Sequence, residues 1–448
     1  MAFGGGTWVS QNKILPGMYI NFSSISRASA TLSDRGVAAL PLPLSWGPEG
    51  QVFEVTSGDF QRNSLSILGF PFDAPEMLPL RELFRNARTA LLYRLSGTTT
   101  RATCTVAGSI LATARYGGSR GNSLRLVVTA NVDDPALFDV HTLMGDEEVD
   151  VQSGVADATG LQDNAFATFN TGATLGLVAG VAFVGGGDGT MTGTAHQVAL
   201  DALESYPFHT LGCVAIEDTT KNLYAQYTRR MREEVGAKFQ LVGHRVPDAD
   251  FEGVISVENN VTDIPNDIPG LGVQGLVYFT LGLQAGVTVN RSCTNRRYNG
   301  ELTVETVYTQ RQLEDGIRAG KFMYHNAGGA VRVLDDINTL VTLTDTKGAI
   351  FQSNQTIRVC DQFANDAALL FNTRYVGNVP NDASGRMSLW NDLCKLLLEL
   401  ERIRAVEAFD TDTLTIEPGD TKKAVLCTLN GLNIVNAMGQ LYMAVAIQ

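Results

Sequence analysis

The order of structural elements is decided by residues 211–257, which read LGCVAIEDTTKNLYAQYTRRMREEVGAKFQLVGHRVPDADFEGVISV. This stretch predicts a strand at Leu211–Ile216, a helix at Lys221–Val235, and strands at Phe239–Val242 and Gly253–Val257. Further helices are predicted on either side of it, at residues 195–205 and 271–285. Strands that alternate with helices of about 10 to 15 residues are typical of βαβ units. We therefore expect a parallel sheet covered by helices on both faces.

The chain on the N-terminal side of this stretch divides into two parts. Short apolar segments broken by prolines run from about residue 38 to 95 and lead into a helix predicted around residues 80–90. This pattern is typical of part of a mixed α/β domain. Between about residues 97 and 172, short Val, Thr and Leu runs alternate with Gly, Asn and Asp, which predicts a small all-β insertion.

Beyond about residue 327 the pattern predicts a separate α+β part. Long helices are expected at residues 357–375 and 386–404, followed by strands at residues 413–417, 422–429 and 441–447. The second helix carries one apolar face at helical spacing, formed by Leu389, Leu393, Leu396, Leu397, Leu400 and Ile403.

Each end of the chain carries a short strand-patterned segment, which we call an arm. In the N-terminal arm, Met18, Ile20 and Phe22 alternate with Tyr19 and Asn21. The C-terminal arm has one face formed by Leu441, Met443, Val445 and Ile447, and another formed by Tyr442, Ala444, Ala446 and Gln448. Unpaired strand edges recruit other chains. We therefore expect these exposed edges to serve the function of the protein by binding other chains.

Composition and charge exclude several classes of protein. The 448 residues are 44% hydrophobic and 18% charged, which is the composition of a folded protein. The net charge of -13, without any run of Lys or Arg, argues against a nucleic-acid partner. The longest nearly apolar run, residues 175–184, is far too short to span a bilayer, and residues 1–17 lack the pattern of a signal peptide. We expect no membrane insertion and a cytosolic chain.

Motifs for catalysis, metals and cofactors are weak or missing. The five histidines are isolated, and the sequence has no H-E-x-x-H, no G-x-S-x-G and no C-x-x-C. The glycine-rich run Gly185–Gly189 lacks the Lys of a phosphate loop and predicts a tight turn. The six cysteines are expected to be buried thiols. We therefore predict no catalytic residue, no metal site and no cofactor.

Several short strings, in this order, resemble those of contractile phage tail sheath proteins of myophages, defective prophages and phage-tail-like bacteriocins. The strings are LPGMYIN (residues 15–21), GGDGT (186–190), YTQRQLEDGIRAG (308–320), VRVLDDINTLVT (331–342), NQTIRV (354–359), VPND (379–382), GRMSLW (385–390) and NAMGQLYM (436–443). The resemblance runs nearly end to end and is densest after about residue 298. Leu15 stands where a basic residue is expected before the Pro-Gly of the N-terminal arm.

The resemblance implies a modular subunit with a subtilisin-like, non-catalytic α/β middle domain, an inserted β-sandwich and an α+β C-terminal domain that faces a tail tube. The expected parts are an N-terminal arm (1–30), the first part of the middle domain (31–96), the β-sandwich (97–175), the rest of the middle domain (176–326), the C-terminal domain (327–435) and a C-terminal arm (436–448).

The implied function is structural. Subunits stack as hexameric rings around the tube, exchange strands through their arms, and contract from a metastable extended state to drive the tube through a host envelope. The implied partners are other copies of the chain, the tail tube protein, and baseplate and tail terminator proteins. Assembly is expected in the bacterial host cytoplasm, and the product is the sheath of a virion tail or a phage-tail-like particle.

Two further groups of residues complete the expected site. Glycines that flank the arms are candidate hinges, namely Gly17, Gly431 and Gly439. Basic residues of the C-terminal part are candidates for facing the tube, namely Arg386, Lys395, Arg402, Lys422 and Lys423. Two alternatives stay open at this point: a hydrolase whose triad assembles from distant residues of the middle domain, and a different virion structural protein.

Overall fold

The computed structural model describes residues 32–264 and 268–447. Its strands are β1 (Val37–Pro43), β2 (Val52–Thr56), β3 (Thr89–Leu95), β4 (Thr103–Val106), β5 (Ser109–Ala114), β6 (Leu124–Ala130), β7 (Phe138–Met144), β8 (Glu147–Val155), β9 (Ala167–Phe169), β10 (Val178–Ala182), β11 (Thr210–Cys213), β12 (Gln240–His244), β13 (Val254–Val257), β14 (Val261–Thr262), β15 (Thr303–Val304), β16 (Lys321–Phe322), β17 (Tyr324–Ala327), β18 (Ala330–Val333), β19 (Leu414–Pro418) and β20 (Val425–Leu429). Its helices are α1 (Ser57–Leu68), α2 (Leu78–Phe84), α3 (Thr194–Leu203), α4 (Asp218–Arg230), α5 (Leu276–Gly286), α6 (Gln310–Arg318), α7 (Asn354–Leu370) and α8 (Ala383–Arg402).

A seven-stranded sheet of order β16-β13-β12-β11-β1-β3-β2 forms the middle domain. Neighbouring strands are parallel, except that the edge strand β2 runs antiparallel to β3. One face packs under α3 and α4, and the other face packs under α2 and α5. The parallel sheet with two covered faces, predicted from residues 211–257, is therefore confirmed.

The structure corrects the prediction for residues 80–90. Helix α2 ends at Phe84, and β3 begins at Thr89 and is buried along its whole length. A strand that is buried on both faces has no alternating pattern, so the sequence did not separate it from the helix before it.

Strand β1 contains Pro41 and Pro43, yet it lies between β11 and β3. The prolines are tolerated because β11 pairs only with Ala38 and Ala39, so its ladder ends before them.

The all-β insertion is a β-sandwich. One sheet has the order β10-β6-β7-β8 and the other the order β4-β5-β9. Strand β10 lies after residue 175, the predicted end of this part, and pairs with β6. The inner faces of both sheets meet in a core that includes Cys104, Leu111, Leu126 and Val140.

Arg94, at the end of β3, fixes the sandwich to the middle domain. Its side chain is fully buried, and its guanidinium donates to the carbonyl oxygens of Leu44 at 2.7 Å and Gly117 at 2.8 Å. It also lies 3.5 Å from Glu49 and 3.4 Å from Asp188. Asp188 belongs to the chain that returns from the sandwich, so one side chain ties both connections together.

The C-terminal part consists of α7, α8 and the antiparallel hairpin β19–β20. The leucines predicted for the apolar face of α8 are buried, and Ile403 is half-buried. Two of the three predicted closing strands are confirmed as β19 and β20. The third, at Leu441–Ile447, is not a strand in the described single chain. A strand needs a partner, and the described residues of the same chain offer it none.

Candidate functional site

The last described residues, 438–447, form an exposed segment rich in large hydrophobic side chains. The exposed fractions are 85% for Leu441, 87% for Tyr442, 76% for Met443, 70% for Val445 and 94% for Ile447. Within the described residues, no hydrogen bond joins this segment to the rest of the chain. A monomer rarely leaves so much contiguous apolar surface in water, so this segment is the candidate interaction surface.

The segment just before it is held firmly. A β-bridge joins Val406 to Ile434, and the amide of Val435 donates to the carbonyl of Ala405 at 3.0 Å. The side chain of Gln355 donates to the carbonyl of Val435 at 3.0 Å and accepts from the amide of Ala437 at 3.0 Å. The chain is therefore anchored through Ala437 and leaves the domain at residue 438.

These contacts separate two of the candidate hinges. Gly431 has φ of +79°, but it precedes the anchored stretch, so rotation about it does not move the arm alone. Gly439 follows the stretch, and nothing lies within 4 Å of a Cβ built on it. The third candidate, Gly17, lies outside the described residues, as do Met18, Tyr19, Ile20, Asn21 and Phe22 of the N-terminal arm.

The first described residues of the chain lie against α7. Leu32 packs on the C-terminal core, and the hydroxyl of Ser33 donates to Asp366 at 2.6 Å. The amide of Gln362 donates to the Ser33 hydroxyl at 2.8 Å and to Asp366 at 2.7 Å. The chain that leads to the N-terminal arm thus starts from the same helix that holds the C-terminal arm.

The hairpin β19–β20 lies in this same domain and has two free edges within the described part of the chain. Its five cross-strand pairs run from Leu414 opposite Leu429 to Pro418 opposite Val425. Trp390 of α8 donates to the carbonyl of Leu414 at 2.8 Å and holds one end of the hairpin on the domain. Most other positions are exposed, including Leu426 and Cys427. Cys427 therefore departs from the prediction of buried thiols, as does the half-buried Cys360.

The basic candidates fall into two groups. Arg386 donates to the Oδ1 of Asn381 at 3.0 Å, and Asn381 donates to the carbonyls of Lys422 at 3.1 Å and Ala424 at 2.7 Å. These contacts bring Arg386, Lys422 and Lys423 to one cleft of about 490 Å³, with both lysines in the turn of the β19–β20 hairpin.

Lys395 and Arg402 lie on another face. Lys395 follows Arg386 by nine residues of α8, about two and a half turns, so the two side chains point to opposite sides. Arg402 follows Lys395 by seven residues and shares its exposed face with Leu398 and Met387. Lys395 lies 3.2 Å from Asp392, and Arg402 pairs with Glu399. The structure therefore does not bring the five basic candidates together.

The residues that hold the arms were not found from the sequence. Gln355, Gln362 and Asp366 are buried polar residues on a helix, and their partners are distant in sequence. Gln355 binds backbone groups about 80 residues away, and Gln362 and Asp366 bind the hydroxyl of Ser33, more than 300 residues away. The available signal was weak: these residues give the buried faces of α7 a polar character that a simple core helix lacks.

The part of the chain that the structure covers has neither a metal-binding group nor a membrane-spanning helix. Among residues 32–264 and 268–447, no three His, Cys, Asp or Glu side chains form a group that could hold a metal ion. No helix in those same ranges is both long and apolar enough to cross a membrane.

Family models match four consecutive parts of the chain. They are described as Tail sheath protein Gp18 domain III N-terminal region (residues 35–95), Phage tail sheath protein beta-sandwich domain (96–188), Phage tail sheath protein central domain (189–339) and Phage tail sheath C-terminal domain (346–448). These matches overturn both alternatives, the hydrolase and the different virion protein.

Individual relatives and solved structures agree with the family models. The phage-like element PBSX protein XkdK of Bacillus subtilis (strain 168) is 30% identical over 472 positions, which cover 99% of each chain. A crystal structure of the sheath tail protein from Desulfitobacterium hafniense has a TM-score of 0.79 at 33% identity, covering 95% of this chain and 99% of that one. The contracted helical sheath of the anti-feeding prophage shares the fold alone, with a TM-score of 0.55 at 13% identity over 97% of this chain and 99% of that one. This chain is a structural protein and not an enzyme, and it belongs to the phage tail sheath family.

Proposed function

We propose that this protein polymerises around a tail tube by inserting its arms into sheets of neighbouring subunits. The observation that carries the proposal is the exposed arm at residues 438–447, with alternate large apolar side chains and an anchored root. The side chains of Leu441, Met443, Val445 and Ile447 share one face of an extended strand, so a single sheet can bury all four.

The hairpin β19–β20 is the acceptor that fits best. An isolated two-stranded hairpin is marginally stable, and this one has two edges at which further strands can pair. Its exposed Leu426 offers apolar surface to an added strand. An arm from one neighbour and an arm from another would together convert it into a four-stranded sheet.

The free energy of strand pairing is large enough to keep subunits joined in one connected lattice, which we call the mesh, while their domains move. Each backbone hydrogen bond contributes about 0.5 to 1.5 kcal/mol net, so an arm of five to seven residues holds several kcal/mol. Burial of a large apolar side chain adds about 1.5 to 3 kcal/mol. Gly439 lies after the last anchor and before the strand-patterned residues 441–447 of the arm, and therefore it is the proposed hinge. The compact domains can rotate there while the strand pairs persist.

The wider assembly follows from the same proposal. Hexameric rings stack helically, the C-terminal domain faces the tube, and the extended lattice is metastable until the baseplate lowers the barrier to contraction. Terminator proteins close the other end, and assembly takes place in the host cytoplasm. The fold is shared with the contracted helical sheath of the anti-feeding prophage, which supports helical stacking and contraction. We also propose the domain boundaries predicted from the sequence and a subtilisin-like fold for the middle domain.

A crosslinking experiment tests the strand exchange. Cys427 is an exposed thiol on the proposed acceptor, so a cysteine introduced in the arm, such as Met443→Cys, should form disulfides between copies under mild oxidation. We expect a ladder of dimers and higher oligomers on non-reducing gels, scanned over positions 441–447 to find the register. The ladder should vanish when Cys427→Ser is added. Crosslinks found only within one chain would contradict the exchange.

A charge reversal tests the tube contact. Lys422→Glu combined with Lys423→Glu should reduce sheath assembly on purified tubes about tenfold or more and leave the subunit folded, because both residues are exposed. The matched control is Arg311→Glu with Arg318→Glu, which changes the net charge equally on exposed α6 of the middle domain. Equal assembly of the lysine variant and the parent at moderate salt would remove these lysines from the tube interface.

A further inference from the structure

Helix α7 holds the roots of both arms. At its N-terminal end, Gln355 binds Val435 and Ala437, and Thr356 exchanges hydrogen bonds with Asn436 at 3.2 and 3.3 Å. Toward its C-terminal end, Gln362 and Asp366 bind Ser33. These four side chains of α7 are each at most 6% exposed, so water competes little for their hydrogen bonds. The two roots are separated by about 16 Å of continuous helix.

The same helix is locked to parts of the chain that precede it. Arg358 lies 2.7 Å from Asp336 and donates to the carbonyl of Arg291 at 2.9 Å. Asp361 accepts two hydrogen bonds from Arg232, at 2.6 and 2.8 Å. Both ion pairs are buried, so α7 cannot slide or rotate without leaving buried charges unpaired. The helix is therefore a rigid element between the two points where the chain leaves the domain.

We propose that α7 is the element that carries tension from one arm of a subunit to the other, with Gln355 and Ser33 as positioning residues at its two ends. This inference rests on the proposed strand exchange and deepens it. A subunit in the mesh is pulled by one neighbour through its N-terminal arm and by another through its C-terminal arm. Because both roots attach to one helix, α7 gives the force a path between the arms that does not run along the sheet of the middle domain.

The first part of the test measures the root in free subunits. Gln355→Leu keeps the size of the side chain but removes both hydrogen bonds, so the amide of Ala437 should exchange with deuterium about tenfold faster. The matched control is Gln352→Leu in the turn before α7, which removes a hydrogen bond to the carbonyl of Leu340. Within the described residues, the side chain of Gln352 makes no hydrogen bond to either root. Unchanged exchange at Ala437 in Gln355→Leu would overturn the assigned anchor.

The second part measures polymers under controlled shear. Gln355→Leu and Ser33→Ala should each shorten the surviving polymers about threefold, and Gln352→Leu should leave their length unchanged. The two sites are far enough apart for independent effects to multiply. If both sites lie in series on one path through α7, polymers of the double variant should be no shorter than those of the single variant with the shorter polymers. Multiplied effects, or polymers as long as those of the parent, would refute the path.

The failure of the strand exchange itself would look different. A chain truncated after Gly439 lacks the arm but retains its root, so exchange at Ala437 still reports on Gln355. Polymerisation of that truncated chain would reject the proposed function, and unchanged shear lengths in Gln355→Leu polymers would reject only the role of α7.

Discussion

A chain truncated after Gly439 is expected to remain folded and to lose polymerisation entirely. The removed residues make no hydrogen bond to the rest of the described chain, and their large side chains are 70% or more exposed. Their loss should therefore leave the midpoint of thermal unfolding unchanged. In the assembly, the same residues would bury four apolar side chains at about 1.5 kcal/mol or more each. Even with half of that offset by ordering the arm, the loss weakens each junction by about a hundredfold.

The measurement compares sedimentation and negative-stain images of the parent and the truncated chain, with circular dichroism as the check on folding. Full-length protein should give long hollow polymers, and the truncated chain should stay monomeric. Deletion of residues 1–22 should have the same effect through the other arm. If either truncated chain still formed tubes, the arms would not be the connections between subunits.

A matched pair of variants separates the apolar face from mere length. Val445→Ser with Ile447→Ser should weaken polymerisation strongly, because these residues lie on the face that a partner sheet buries. Ala444→Ser with Ala446→Ser introduces the same two hydroxyls on the opposite face and should have little effect. Equal effects of the two pairs would argue that the arm is bound without a defined face.

The sequence predicted best those elements that bury one face and expose the other, because their apolar residues then follow a regular spacing. The leucines of α8 are spaced for one buried face, and they lie on that face in the structure. The arms were predicted from an alternating pattern without a neighbouring strand, and they stay a prediction, because residues 18–22 lie outside the described residues and residues 441–447 have no strand partner there. The β3 strand was missed because it is buried on both faces, and then only its partners, β1 and β2, distinguish it from a helix.

The anchors of the arms could not be predicted for a different reason. Gln355 binds the backbone at residues 435 and 437, and Asp366 binds Ser33, so each contact joins distant parts of the chain through an ordinary polar side chain. Nothing in the local pattern marks these partners. The same contacts decide between Gly431 and Gly439, which look equivalent in the sequence, because only the second lies beyond the anchored stretch.

Asp336→Ala is expected to destabilise the subunit by about 3 to 5 kcal/mol, because it leaves the Arg358 charge buried without a partner. Asp336 is 2% exposed and accepts from Arg358 at 2.7 Å, the amide of Cys293 at 2.9 Å, Gln284 at 2.8 Å and Asn354 at 3.1 Å. Urea unfolding of the chain truncated after Gly439 measures the loss without interference from polymers. The surface pair of half-buried Glu399 and exposed Arg402 is the control, and Glu399→Ala should cost less than about 1 kcal/mol.

The pH dependence gives a second test of the same pair. Burial alone would raise the pKa of Asp336, but Arg358 and the hydrogen bonds from Cys293 and Gln284 outweigh it and lower that pKa below its ordinary value. A carboxyl with a lowered folded-state pKa stabilises the protein above its unfolded pKa, and this contribution is lost as the pH falls through the folded pKa. The parent should therefore lose stability in acid more steeply than Asp336→Asn, which carries no titrating group there.

If Asp336→Leu with Arg358→Met restored most of the stability that Asp336→Ala loses, that loss would be traced to the unpaired charge. Equal acid sensitivity of parent and Asp336→Asn would show that this pair does not hold α7 in place.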